Sequence, residues 1–269
     1  ISNTFNFDDS KLRAKYLTLK LDSESKPNSI LLNEISEIHA KILAKETYDE
    51  STSFFRKICD KEYLFCENGL TKGNAIWYVM NVFLSELKPS CVLELGGGRS
   101  TLFLAEYAMG DRGERLHYTV EHDARWVSKL NWNLQEAHMH HFSKILYTPI
   151  VNDWYDIDYI RSEIPEKIDM LFIDGPPGEY RNSPRGQQFI YELIESNEFK
   201  FVVVDDTHRE DNDKVSKQIW KMLGSDYLRY RMNYGHGHKD NLIHMIFPKE
   251  ARVRLDKELA FLKSNSFII

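Results

Sequence analysis

Between residues 91 and 206 the apolar positions come in short runs, separated by stretches whose apolar residues recur at a helical spacing. Cys91 to Leu95, Leu116 to Val120, Lys144 to Val151, Ile168 to Ile173 and Phe201 to Val204 each read as a strand. Helices are expected over 102–109, 124–136, 187–195 and 214–223. Strands that alternate with helices and are apolar on both faces predict a parallel sheet covered on both sides. The pattern changes after Gly224. Tyr227-Leu-Arg-Tyr-Arg-Met-Asn-Tyr234 alternates by twos, a Gly/His-rich turn follows, and Leu242 to Phe247 returns, which predicts an antiparallel hairpin at the sheet edge. Ala251 to Lys263 reads as a closing surface helix.

Upstream there is no strand alternation. Ile30, Leu31, Leu32, Ile35, Ile38, Ile42 and Leu43 fall near a 3.6 spacing, so residues 1–66 are expected to form an N-terminal helical cap. Such a cap suits a lid or a contact between copies in a homo-oligomer. A helix is expected from Asn74 to Leu87, with Ile76, Val79, Met80, Val82, Phe83 and Leu87 facing inward and Pro89 ending it. Residues 67–269 then make one α/β domain.

Charge narrows the partners. A net charge of −6 with only short basic clusters argues against a nucleic-acid partner, which needs a dense cationic surface. No apolar run approaches the ~20 residues of a membrane span. Three cysteines, Cys59, Cys66 and Cys91, have no metal-ligand spacing, which suits a reduced, cytoplasmic setting.

The chemistry concentrates at Glu94-Leu95-Gly96-Gly97-Gly98-Arg99-Ser100-Thr101, where a strand ends in consecutive glycines and a helix starts. Glycines there let a ligand approach the main chain, and Ser100 and Thr101 are placed to cap the helix. A dinucleotide fingerprint wants Gly or Ala where Thr101 stands, and a carboxylate at Glu94 would repel a pyrophosphate. Glu94 suits an ammonium instead, and Glu121, closing the second strand, suits a ribose diol. On these residues the chain resembles class I S-adenosylmethionine-dependent methyltransferases, whose first motif has the acid-x-Gly-x-Gly form. The resemblance spans about residues 70 to 247. It implies a doubly wound, seven-stranded, mostly parallel Rossmann-like sheet, with Glu94, Gly96, Gly98 and Ser100 around the methionine end of the cofactor. Glu121 would then take the ribose, and His122 and Asp153 would border the adenine.

Asp174-Gly175-Pro176-Pro177-Gly178 follows the fourth strand, and Asp205-Asp206 follows the fifth. Loops there face the reactive end of a ligand in an open α/β sheet. Carboxylates on adjacent strands, ~4.8 Å apart, repel unless one is protonated or a cation lies between them. The set Asp174, Asp205 and Asp206 therefore suits a hard ion such as Mg²⁺, although consecutive strand-end residues point to opposite faces. The stretches Phe172-Ile-Asp-Gly-Pro-Pro-Gly-Glu-Tyr180 and Phe201-Val-Val-Val-Asp-Asp-Thr-His-Arg209 are similar to metal-dependent O-methyltransferases and to a bacterial methyltransferase family with Ile-Asp-Gly and Asp-Asp signatures.

An alcohol oxygen needs a base before it accepts a methyl group. His208, with a reference pKa of ~6.5, fits that role beside Asp174 and Asp205. Arg181 and Arg185 are placed to grip an acidic acceptor. The expected function is methyl transfer from S-adenosylmethionine to a hydroxyl of a small molecule or saccharide. A metal-dependent hydroxylase-like or aminopropyl-transferring relative, or a non-catalytic cofactor-binding domain of a larger biosynthetic protein, are the alternatives.

Overall fold

A computed structural model of the protein describes residues 72–110, 114–178, 180, 182–233 and 242–264. The expected N-terminal cap and the hairpin turn fall outside these residues. Seven strands form one sheet in the order β3-β2-β1-β6-β7-β9-β8. These are β1 (Cys91–Leu95), β2 (Leu116–Glu121), β3 (Ser143–Tyr147), β6 (Met170–Ile173), β7 (Phe201–Val204), β8 (Tyr227–Asn233) and β9 (Leu242–Pro248). The first five pair in parallel, while β9 runs antiparallel to both of its neighbours. The expected hairpin is present, but its second strand turns inward against β7 and leaves β8 at the edge.

Alternation along the central strands serves two cores. Met170 and Phe172 of β6, with Phe201 and Val203 of β7, face one cluster; Leu171, Ile173, Val202 and Val204 face the other. α1 (Lys72–Leu87), α2 (Arg99–Met109) and α7 (Arg252–Ser264) contribute to the first cluster. In it Phe83 stacks on Phe201 at 4.9 Å and meets Phe247 edge-on. α4 (Ile157–Glu163), α5 (Pro184–Ser196) and α6 (Glu210–Leu223) contribute to the second. α3 (Ala124–Glu136) packs along β3 and α2. Each fully buried Leu, Val or Phe contributes about 1.5–3 kcal/mol relative to exposure, so a sheet covered on both faces is the stable answer to these runs. Among the described residues no helix is long and apolar enough to cross a membrane.

Several boundaries move for local reasons. α2 begins at Arg99 rather than at 102, with Gly98 as N-cap; Ser100 and Thr101 are inside its first turn. The third strand stops at Tyr147, before Pro149, which has no N–H for a ladder. Ile150–Val151 (β4) instead pairs with Trp154–Tyr155 (β5) through a two-residue turn. Both turn residues, Asn152 (φ 51°) and Asp153 (φ 65°), are left-handed, the combination a tight hairpin requires. α4, capped by Asp156, was not foreseen. α5 starts at Pro184 because Ser183 accepts the Gly186 N–H, a serine N-cap followed by proline at the first helical position.

Candidate active site

The chain runs outward from β1 through β2 to β3, then crosses back to lay β6 on the other side of β1. The crevice of an open α/β sheet opens at such a reversal, beyond the carboxyl ends of the strands. Here those ends are tied closely. Leu95 O accepts the N–H of both Asp174 (2.9 Å) and Gly175 (2.6 Å), while the Gly96 N–H donates to Val120 O on β2. Gly96 has φ 94°, and a Cβ on it would lie 2.5 Å from Gly175 N. Two loops far apart in sequence thus pack backbone on backbone at the switch point.

Beneath the bend lies a buried polar chain. Glu94 is fully buried, and its Oε2 accepts from Thr101 Oγ1 and Thr119 Oγ1, both at 2.7 Å. Thr101 Oγ1 in turn accepts the Gly98 N–H at 2.9 Å. The single Thr119 hydroxyl proton is committed to Glu94, so at 3.1 Å His117 Nε2 must be the donor to Thr119 Oγ1. His117 Nδ1 lies 2.9 Å from Ser143 Oγ. The chain of bonds holds the glycine bend from below. Glu94 Oε1, also buried, has no hydrogen-bond partner among the described residues. An unsatisfied buried acceptor costs about 1–3 kcal/mol, so this oxygen is a standing demand for a donor.

Glu121 sits at the tip of β2. Its Oε2 accepts the Gly97 N–H at 2.8 Å, and its Oε1 accepts the N–H groups of His122 and Asp123 at 2.7 Å each. His122 Nδ1 lies 2.8 Å from the same Oε1. The glycine-bend N–H that a phosphate-binding loop would offer to its ligand is therefore taken by the protein's own carboxylate. A second anion there would meet both Glu121 and Glu94 at low dielectric.

The remaining candidates separate. Asp174 is at the tip of β6 beside Gly96, part of the same crevice. Asp153 belongs to the exposed β4–β5 turn, where its Oδ1 accepts from Ser183 Oγ. Strand three ends earlier than expected, so Asp153 does not close it. Asp174 and Asp205 follow register-paired residues at the tips of neighbouring strands. Asp206 adopts φ 54° and turns its carboxylate to Arg209 (3.2 Å), while Asp205 Oδ1 folds over the Asp206 N–H at 2.6 Å. Among the described residues no group of three His, Cys, Asp or Glu side chains is placed to hold a metal ion. His208 is on the loop after β7, its Nδ1 3.9 Å from Asp206 Oδ1. Arg181 falls outside the described residues, and Arg185 donates to Val151 O, pinning the small hairpin rather than reaching for a ligand.

Tyr155 was missed. The small hairpin delivers it, fully buried, to the junction of the two loops, where its hydroxyl would lie 2.4 Å from a Cβ on Gly175. Asn-Asp flanked by Ile-Val and Trp-Tyr was the available signal, a left-handed turn pair between two-residue apolar runs. Cys91 behaves as a small apolar residue: burial first, then the charge of Asp169, pushes its thiol pKa up to about 12.

No family model matches the sequence, and no curated protein matches it. Solved structures do. The METTL16 methyltransferase domain is 11% identical with a TM-score of 0.50 over 77% of this chain and 80% of its own. The O-methyltransferase from Bacillus cereus, in complex with SAH, is 14% identical with a TM-score of 0.49 over 76% and 91%. The O-methyltransferase TomG from Streptomyces achromogenes, in complex with SAM, is 16% identical with a TM-score of 0.48 over 76% and 89%. At these identities the likeness is one of architecture. Seven mostly parallel strands in this order, with an antiparallel strand next to the edge, are the Rossmann-like methyltransferase fold.

Proposed function

We propose that the protein transfers a methyl group from S-adenosylmethionine to a hydroxyl of a small molecule or saccharide. The observation that carries this reading is Glu121 against the Gly97 N–H. It makes the bend hostile to a pyrophosphate and hospitable to a nucleoside that brings hydroxyls and a positive charge. The residues fit that cofactor on further counts. Among the described residues Glu94 Oε1 lacks a donor, and Glu121 Oε2, with one N–H already bound, keeps a lone pair for a ribose hydroxyl. A Cβ at Gly98 would meet nothing nearer than Ser100 Oγ at 3.9 Å, so the mouth of the bend is open.

The cofactor, when bound, supplies an electrophilic methyl on a sulfonium. What this chain adds is placement and a proton acceptor. Gly96, Gly98 and Ser100 shape the methionine end, while Glu121 and His122 hold the nucleoside. Asp174, at the tip of β6, and Asp205, at the tip of β7, border the acceptor. His208 takes the proton of the attacking hydroxyl at Nε2, with Asp206 on its Nδ1 side. Alignment of this kind contributes roughly 7–11 kcal/mol, and a positioned base about 10²–10⁴-fold. No step is assigned to a metal ion.

Titration calorimetry with S-adenosylmethionine and S-adenosylhomocysteine tests the proposal. Both are expected to bind, and Glu121→Ala is expected to weaken each at least ~10-fold, the loss of a charge-assisted hydrogen bond to the ribose. Absence of binding by the wild-type chain refutes it. Binding with no acceptor gaining a methyl mass across a broad screen would instead favour a cofactor-binding domain without turnover.

A further inference from the structure

A cavity of about 690 Å³ opens between α6 and the β8–β9 pair. Its charged lining is Glu210, Asp213 and Lys217 from α6, Arg229 and Arg231 from β8, and His208 and His244 around them. The size is that of a small-molecule site. The acids are already spent. Glu210 pairs with Lys214 at 2.7 Å, and Asp213 with Lys217 at 2.5 Å.

The cations are not neutralised to the same degree. Arg229 lies half-buried with its guanidinium 5.5 Å from the Trp220 ring centroid and Nη1 3.8 Å from Asp213 Oδ1, beyond hydrogen-bond reach. That Nη1 is buried and has no hydrogen-bond partner among the described residues. Arg231 is exposed and lines the same cavity. It stands two positions from Arg229 on the same strand, hence on the same face about 7 Å away. Register pairs Arg231 with His244, whose Nδ1 is engaged by Ser216 Oγ at 2.9 Å. Two guanidinium groups on one face of β8 thus line one cavity, which suits an oxyanion.

We propose that this cavity binds an oxyanion, a phosphate or carboxylate group, carried by the methyl acceptor. Arg229 and Arg231 would supply the fork of donors. Thr207 and His208 line the same cavity, so an anion held there places the rest of its molecule against the candidate base. This step rests on the methyl-transfer reading; the anion site itself does not. It names the acceptor class as acidic, such as a sugar phosphate or a sugar acid.

Binding of inorganic phosphate, glucose 6-phosphate, glucuronate and uncharged glucose is measured by calorimetry at constant ionic strength, with wild type, Arg231→Ala and Arg229→Gln. The sugar phosphate or the sugar acid is expected to bind more tightly than inorganic phosphate, and glucose not at all. Each variant is expected to lose at least ~10-fold, with S-adenosylhomocysteine affinity unchanged. Arg231 is exposed, so its variant keeps the fold. Anion affinity equal in wild type and Arg231→Ala, or no saturable anion binding, overturns the site. Inorganic phosphate binding as tightly as both acidic sugars overturns the assignment to an acceptor and leaves a free-anion site. Anion binding by a chain that does not bind S-adenosylhomocysteine keeps the site and removes the methyl-transfer reading beneath it.

Discussion

Replacing Gly96 by alanine is the sharpest stability test of the crevice. The new Cβ would lie 2.5 Å from Gly175 N, 2.7 Å from Gly175 Cα and 3.0 Å from the Asp174 carbonyl carbon. All three are backbone atoms, so no side chain can swing aside. The Gly175 N–H is also one of the two that hold Leu95 O, and displacing it parts the tips of β1 and β6. At φ 94° an alanine additionally carries left-handed strain of roughly 1–2 kcal/mol. Overpacking adds about 1–3 kcal/mol. Together they come to about 2–5 kcal/mol, and for a domain of roughly 200 residues the melting temperature should fall by about 5–15 °C. Gly98→Ala is the control, since its Cβ meets only Ser100 Oγ at 3.9 Å and its φ of −172° is extended backbone. Thermal melts followed by circular dichroism should place Gly98→Ala within a few degrees of wild type. A Gly96→Ala melt indistinguishable from wild type would show that the two loops do not pack as described.

Two further outcomes follow from other groups. His208→Ala should lower kcat by about 100-fold or more while leaving the affinity for S-adenosylhomocysteine unchanged; a smaller loss in kcat removes histidine as the base. Burial, then the nearby Arg229 charge, lowers the His244 pKa from 6.5 to about 4, with Asp213 opposing and Arg231 and Lys217 adding to the fall. Between those values the unfolded chain binds a proton that the native chain does not. Stability therefore declines as pH drops from 6.5 toward 4 and is whole above 6.5. The ceiling is roughly 3 kcal/mol, and solvent at the cavity mouth reduces it to about 1–2 kcal/mol. Urea midpoints at pH 7.5 and pH 5 should differ less in His244→Gln than in wild type, and equal slopes would refute the assignment.

Much of the architecture was legible because periodicity is a local property. Phe201 to Val204 is apolar at every position, and only a strand with both faces covered accommodates that. The glycine bend was legible too, since strand, glycines and helix are contiguous. What failed was finer. Lys144 to Val151 reads as one strand until Pro149 removes a donor, and the two-residue runs of β4 and β5 are too short for any periodicity to register. The direction of Asp206 was not legible either, because sequence supplies proximity but not orientation, and the left-handed Asp206 sends its carboxylate to Arg209.

From its residues alone the chain determined a parallel α/β sheet, a returning antiparallel hairpin and a carboxylate-flanked glycine bend, all features written within a few consecutive positions. Tertiary structure decided what those features meet. Only β1–β6 pairing brings Gly96 onto Gly175, only β1–β2 register sets Glu94 beside Thr119, and only β8–β9 register aligns Arg231 with His244 across from α6. Each of those contacts joins residues distant in sequence. Which partner a side chain finds depends on strand order and register, which the packing of the whole domain selects.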